Sequence, residues 1–187
     1  MKLVRLGLAR SLRPGDAFKG IVLSAEGQCV LSPLDRALVS AVGIACVNCS
    51  WNRLDEVKNV PGGNISRHRK LPFLIAANPI NYGKAFKLSS AEALAGGLGI
   101  LGLEAKKLTE KFSWHDEFWK LNSDLIEAYA KCGSREEVLA IQQQWMGPED
   151  ISEPRIEKIE KIASNSSKIE KVEPPKVEEH KPFAWST

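Results

Sequence analysis

Cysteine is scarce in this chain. Four occur in 187 residues, at positions 29, 46, 49 and 132, without the regular spacing of a disulfide framework. That excludes the small disulfide-stapled secreted class and points to a reducing compartment. Long apolar runs are missing too. The longest uncharged apolar stretch, Ala93–Leu103, has 11 residues and carries Gly96, Gly97, Gly99 and Gly102, too short and too glycine-rich to cross a bilayer. Near the N-terminus Lys2, Arg5 and Arg10 are spread through a Leu/Val pattern, which reads as a helix face rather than a signal peptide. What is present suffices for a core. With 43% apolar residues, wholesale disorder is excluded, and the length fits one domain or one domain with a small annex.

Charge is balanced only in sum. The net charge is +3, but residues 1–91 hold 13 Lys/Arg against 5 Asp/Glu, residues 92–147 hold 6 against 9, and residues 148–187 hold 7 against 9. A basic first half and an acidic remainder imply an electropositive face on one part of the molecule.

The first half alternates helix and strand patterns. Lys2–Leu12 reads as a short helix, Arg13–Asp16 as a turn and Phe18–Leu23 as a strand. Ser32-Pro33-Leu34-Asp35 opens a helix that ends near Gly43, with Ser32 as N-cap and Pro33 at the first helical position. Ile44–Cys49 and Leu71–Ala77 read as buried strands, so the expected fold is α/β with a parallel sheet. The second half turns helical. Ser89-x-x-Glu92, Ser113-x-x-Asp116 and Ser134-x-x-Glu137 are capping-box starts. Phe118, Leu121, Leu125 and Tyr129 share a helix face followed by Gly133 as C-cap, and Glu137–Met146 forms the last helix. The expected division is a sheet domain over 1–77, a helical domain over 78–147 and a disordered charged tail over 148–187. Pro182-Phe183-Ala184-Trp185 in that tail is a candidate docking segment.

Three patterns read as decoys. Gly97-Leu98-Gly99-Ile100-Leu101-Gly102 matches G-x-G-x-x-G literally, yet it lies inside a helix begun at Ser89 instead of after a strand, so it is close packing or a weakened helix. Cys46-x-x-Cys49 lacks a second pair for zinc and a helix start for redox work, which leaves buried thiols. His115, beside Trp114 and Asp116, is a helix-start residue. His68 falls in a basic stretch, Arg67-His68-Arg69-Lys70, that reads either as a solvated loop or, with Arg53, Lys58, Lys84 and Lys87, as a phosphate-binding surface. Asn48-Cys49-Ser50-Trp51 and Asn78-Pro79-Ile80-Asn81-Tyr82-Gly83 each follow a strand. They are two well-made turns or the two sides of one crevice at the carboxyl end of a sheet.

These segments carry a resemblance. Val47–Glu56, Leu71–Lys84 and Lys87–Leu94, supported by Phe18–Ser24, Ser32-Pro33-x-Asp35, Phe112-Ser113-Trp114 and Leu121-Asn122, resemble the small-subunit ribosomal RNA aminocarboxypropyltransferases over roughly residues 2–145. The resemblance implies a SPOUT-like fold, a parallel-sheet domain followed by a helical domain with a deep trefoil knot between them. It also implies transfer of the 3-amino-3-carboxypropyl group of S-adenosylmethionine to N3 of a modified pseudouridine in small-subunit rRNA during ribosome biogenesis, with no metal. The implied setting is a monomer on small-subunit rRNA or a pre-ribosomal particle, in the cytoplasm with the nucleus second, and away from membranes. The alternative is a degenerate or truncated relative that binds pre-ribosomal RNA without transfer.

Carried over by position, Val47 and Leu71 would meet ribose and adenine through their backbones, Phe86 would flank the adenine, Trp51 would wall off the methyl side, and Ser90 would bond the amino-acid arm. Arg53, Arg67, Arg69, Lys70, Lys84 and Lys87 are the RNA-binding candidates. Two departures stand out. The family has an acidic residue where this chain has Asn48, the candidate catalytic position, and an amide cannot act as a base. The family also carries a Cys-Ser/Thr-Gly loop upstream of the Lys2-Leu3 position, so the sheet domain is expected to be N-terminally truncated. Gly96, Gly97 and Gly99 replace bulkier family residues, and each is expected to weaken its helix by about 1 kcal/mol relative to Ala.

Overall fold

A computed structural model describes residues 2–13, 16, 18–47 and 65–146, all within one compact unit that spans Met1–Arg155. Four short parallel strands form the sheet: β1 (Ile21–Leu23), β2 (Cys29–Val30), β3 (Ile44–Cys46) and β4 (His68–Lys70), in the order β2-β4-β1-β3. Among the described residues five α-helices accompany it: α1 (Lys2–Arg5), α2 (Arg36–Val42), α3 (Ser90–Ile100), α4 (His115–Ala130) and α5 (Arg135–Met146). β1 is central and all three of its residues are buried, as an all-apolar strand requires when both faces are covered. The core runs from Ile21, Leu23 and Leu31 through Leu74, Ala95 and Ile100 to Phe118, Leu125, Tyr129 and Val138.

Several elements differ from the sequence expectation. α1 is one turn long because Gly7, at φ +69°, closes it. Leu8 N–H bonds the Leu3 carbonyl and Gly7 N–H the Val4 carbonyl, the paired bonds of a Schellman ending. The third strand is His68–Lys70 and not Leu71–Ala77. His68, expected in a solvated basic loop, is 5% exposed, and its neighbour Arg69 clasps Asp35, with Nε 3.0 Å from Oδ1. Arg135 reaches the same Asp35 oxygen at 2.8 Å, which ties α5 to the start of α2. A second strand, Cys29–Val30, escaped the sequence reading altogether. α4 begins at His115 with Trp114 as N-cap and no side-chain cap, since the preceding residues already turn (Phe112 N–H to Thr109 O, 2.8 Å). At the other end Lys131 is the C-cap, and Gly133 lies in the turn beyond it.

The segment read as a strand, Leu71–Ala77, is extended and mostly buried, but helix side chains and a return loop supply its partners. Phe73 N–H bonds Gln142 Oε1 (2.9 Å), and the Phe73 carbonyl accepts from the Tyr129 hydroxyl (3.3 Å). Ile75 N–H bonds Asn122 Oδ1 (2.8 Å), and the Ile75 carbonyl accepts from Asn122 Nδ2 (2.9 Å). The alternate residues face the return loop: Phe86 N–H bonds the Leu74 carbonyl, while Ala76 exchanges bonds with Lys84 and Gly83.

The glycines of α3 are close packing, not weakness. A Cβ on Gly96 would stand 2.5 Å from Leu74 Cδ1, one on Gly99 2.8 Å from Ile126 Cγ2, and one on Gly97 3.2 Å from Leu23 Cδ1. α3 is thus wedged between the sheet and α4. Gly99→Ala is expected to lower stability by about 1–3 kcal/mol through overpacking, against the gain of about 1 kcal/mol at an open helix site; denaturant unfolding reads the sign.

His68 makes a second stability prediction. Burial holds its imidazole below the ordinary value of 6.5, Glu26 opposes that shift, and Arg69 adds to it. Its Nδ1 has no hydrogen-bond partner among the described residues. The unfolded chain therefore takes up this proton first as pH falls, so stability drops from pH 6.5 downward and levels off below the folded value. Thermal unfolding scanned between about pH 7.5 and 5 should show a shallower decline for His68→Gln than for the wild type.

Candidate functional site

In a parallel sheet the carboxyl ends of neighbouring strands open a crevice. Here β4 and β3 flank β1, so their exits, Leu71 and Val47, stand about 10 Å apart across the end of β1. Both residues are half-buried, and Val47 N–H is bonded to the Leu23 carbonyl at 3.1 Å. α3 starts against this edge, with Cys46 Sγ 3.8 Å from the Ser90 carbonyl. Ser90, the first residue of α3, is half-buried. Phe86 lies on the return loop, 36% exposed, with its ring 5.7 Å from that of Phe73.

Phe86 has φ +60°, the left-handed region that a bulky L-residue enters at a cost of about 1–3 kcal/mol. The bond from its N–H to the Leu74 carbonyl, 3.0 Å, holds that conformation. A strained aromatic with a partly exposed ring, held against Leu74 and Phe73, is a candidate wall for a planar ligand.

Glu92 organises the crevice, and the sequence reading saw only part of its role. Its carboxylate is fully buried and accepts four hydrogen bonds, two on each oxygen. Ala77 N–H (2.7 Å) and Asn78 N–H (2.9 Å) meet Oε1, while Asn78 Nδ2 (2.8 Å) and Ser89 N–H (2.6 Å) meet Oε2. The capping-box pattern predicted the Ser89 contact. The other three come from the loop that leaves the buried segment, and a glutamate two residues after a serine pair carries no signal for them.

The basic candidates divide. Arg69 is engaged by Asp35 and by the Ser66 and His68 carbonyls, and Arg67 donates to the Lys19 carbonyl. Lys70, Lys84 and Lys87 are exposed. Asn48, Trp51 and Arg53 lie outside the described residues, as do Lys58, Cys49 and the whole of 147–187, so the catalytic position, the methyl-side wall and the tail are not part of this geometry. Ser134 Oγ accepts from Glu137 N–H at 3.2 Å, but the Glu137 carboxylate turns to Gly133 N–H, which leaves only half of the expected box.

The fold defines a class: a parallel-sheet protein backed by a helical layer, with two strand exits at the carboxyl edge of the sheet. Comparison with known proteins narrows it. Residues 21–146 match the family model described as ribosome biogenesis protein, C-terminal. The chain is 43% identical over 148 residues to an 18S rRNA aminocarboxypropyltransferase of Saccharomyces cerevisiae, an alignment that covers 78% of this chain and 47% of that one. It is 40% identical over 146 residues to a 16S rRNA aminocarboxypropyltransferase of Methanopyrus kandleri, covering 76% and 86%. Among solved structures it is similar to a SAM-dependent rRNA:acp-transferase from Vulcanisaeta distributa, with a TM-score of 0.62 and 34% identity, covering 78% and 85%. The chain belongs to the rRNA aminocarboxypropyltransferase family. It spans about half the length of the yeast relatives it matches.

Replacing Glu92 tests the organising role. In Glu92→Gln one oxygen becomes an NH2 group facing donors, so two charge-assisted bonds are lost. Stability should fall by about 2 kcal/mol or more, read by urea unfolding at neutral pH.

Proposed function

We propose that this chain transfers the 3-amino-3-carboxypropyl group of S-adenosylmethionine to N3 of a modified pseudouridine in small-subunit rRNA, acting as a monomer on a cytoplasmic pre-ribosomal particle. The observations that support the reading are the capped start of α3 against the β3 exit and a strained aromatic on the return loop, in a chain whose relatives bear that activity by name. We further propose that the fold is SPOUT-like with a trefoil knot, and that the sheet and helical halves, 1–77 and 78–147, act as two domains. The parallel crossover order β2-β4-β1-β3 and the burial of Leu71–Ala77 beneath helix side chains support the knot.

The residues divide the work by position. The backbones of Val47 and Leu71 meet the nucleoside, Phe86 lies along the adenine and Ser90 bonds the amino-acid arm. Trp51 walls the methyl side with a flat face that suits a sulfonium. The sulfonium activates three carbons, and the product depends on which one is presented to the nucleophile, a matter of positioning. In the step itself the C–S bond to the aminocarboxypropyl arm breaks with its electron pair staying on sulfur. A C–N bond forms at N3, and the N3 proton leaves to water, since Asn48 cannot take it.

Calorimetry with S-adenosylmethionine and a transfer assay on a small-subunit rRNA fragment test this reading. The expected result is cofactor binding in the micromolar-to-millimolar range, with transfer raised about ten-fold or more by Asn48→Asp. No heat at millimolar cofactor would sink the enzyme reading and leave the chain as an RNA binder. Equal transfer by Asn48→Asp would show that position 48 holds no base.

A further inference from the structure

Glu92 does more than a helix cap requires. A capping box uses one carboxylate oxygen, here Oε2 on Ser89 N–H at 2.6 Å. The other oxygen serves the backbone of Ala77 and Asn78, and Oε2 also takes the Asn78 side-chain amide at 2.8 Å. That amide has a second partner, because Asn78 Nδ2 also donates to the Lys87 carbonyl at 3.2 Å. The Asn78–Glu92 pair therefore holds the two peptide groups on either side of Leu88, one by the carbonyl of Lys87 and the other by the N–H of Ser89. Phe86 and Ser90 bracket this junction, one residue outside each bond. Phe86 is fixed from its other side by the Leu74 carbonyl, and Ser90 is the first residue of α3. Asn78 is 7% exposed and Glu92 is fully buried, so the pair acts from beneath the surface.

We propose that Asn78 and Glu92 are positioning residues for the transfer reaction: through the junction at Leu88 they set the separation and orientation of Phe86 and Ser90. The inference rests on the proposed function, in which those two residues meet the adenine and the amino-acid arm of S-adenosylmethionine. The nucleoside and the arm leave the same sulfur. Two contacts a fixed distance apart therefore decide how the sulfonium is turned and which of its carbons faces N3. Stability alone does not call for this pair. A buried charge is weak evidence for stability, because its desolvation offsets much of what its bonds contribute. What the carboxylate supplies is direction: four donors at 2.6–2.9 Å fix the arrangement of the segments that carry them. The backbone of Phe86 points the same way. A φ of +60° persists only where the surroundings hold it, and the Leu74 bond before it and the Asn78 bond after it do so.

The test measures transfer and binding separately on the full chain, in the wild type and in an Asn48→Asp background. Single-turnover transfer to a small-subunit rRNA fragment at saturating S-adenosylmethionine reads positioning. Calorimetry with 5′-methylthioadenosine, the product left when the arm departs, reads the nucleoside half of the pocket alone. Asn78→Ala cuts the link to Lys87 but keeps the three backbone bonds to Glu92, so it loosens the junction with a smaller stability loss than Glu92→Gln. Phe86 keeps its Leu74 bond in both variants. Each should lower the transfer rate about ten-fold or more and leave 5′-methylthioadenosine affinity within about two-fold. Where Glu92→Gln unfolds, Asn78→Ala decides. Gly99→Ala is the control for stability: it strains the same helix at Ile126, and its transfer rate should stay within about two-fold of wild type. Wild-type transfer in Asn78→Ala, or an equal fall in Gly99→Ala, would overturn the inference and leave the pair as scaffold. A parallel fall in 5′-methylthioadenosine binding would overturn it too, by showing a collapsed pocket instead of a misplaced arm. No transfer in either unmutated background would remove the enzyme reading itself, and this inference with it.

Discussion

The structure depends on satisfying one buried stretch of backbone. Residues 71–78 run extended through the interior, away from water, and every N–H and C=O there needs a partner. Among the described residues no neighbouring strand provides a ladder beyond a single antiparallel bridge between Ile75 and Ala85. Asn122 answers as a strand would, its amide exchanging two bonds with Ile75 while it also donates to the Phe118 carbonyl of its own helix. Gln142 and Tyr129 serve Phe73, and Glu92 serves Ala77 and Asn78. Residues 73, 75 and 77 thus face side chains from three helices, and residues 74 and 76 face the return loop, in strict alternation.

This arrangement couples the helices to the crevice. A fully satisfied buried polar network rigidifies what it joins, and the low surrounding dielectric makes each bond costly to lose. The members come from α3, α4 and α5, and they converge on one extended segment whose two ends bear on the site. Leu71 marks its entry at the sheet edge, and Asn78 its exit beneath the exposed turn. The return loop that completes the pairing carries Phe86 in its left-handed conformation, so the strain at the proposed pocket wall is held by the same hydrogen bonds that bury the segment.

How much of this was legible follows from what periodicity reports. Ile21–Leu23 and Ile44–Cys46 were readable as strands from an apolar run between turn residues, but only the first is buried throughout; Ile44–Cys46, expected to be buried, is half-buried at the end of the described sheet order. Leu71–Ala77 gave the same signal and was misread, since the pattern registers burial and extension but not the identity of the partner. His68–Lys70 gave the opposite error. Three polar residues look like a solvated loop, yet one is buried and the next closes an ion pair with Asp35, 34 positions away. The glycines of α3 show a further limit: composition cannot separate a helix weakened by glycine from one that needs it, because the difference lies in Leu74 and Ile126 on other elements.

The proposed site rests on a different kind of signal. Val47, Leu71, Phe86 and Ser90 came from resemblance, and no spacing rule would have selected them. Charge counting also needs the fold before it can speak about a surface. The excess of basic residues over 1–91 includes Arg69, whose charge is matched by Asp35, and Arg67, which is tied to a backbone carbonyl. Asp35 in turn serves two guanidinium groups, one of them from Arg135 in the acidic half. Part of the basic half is therefore internal wiring, and part of its neutralisation crosses between halves. Of the basic candidates among the described residues, Lys70, Lys84 and Lys87 are exposed. That is a smaller field than the net count suggests.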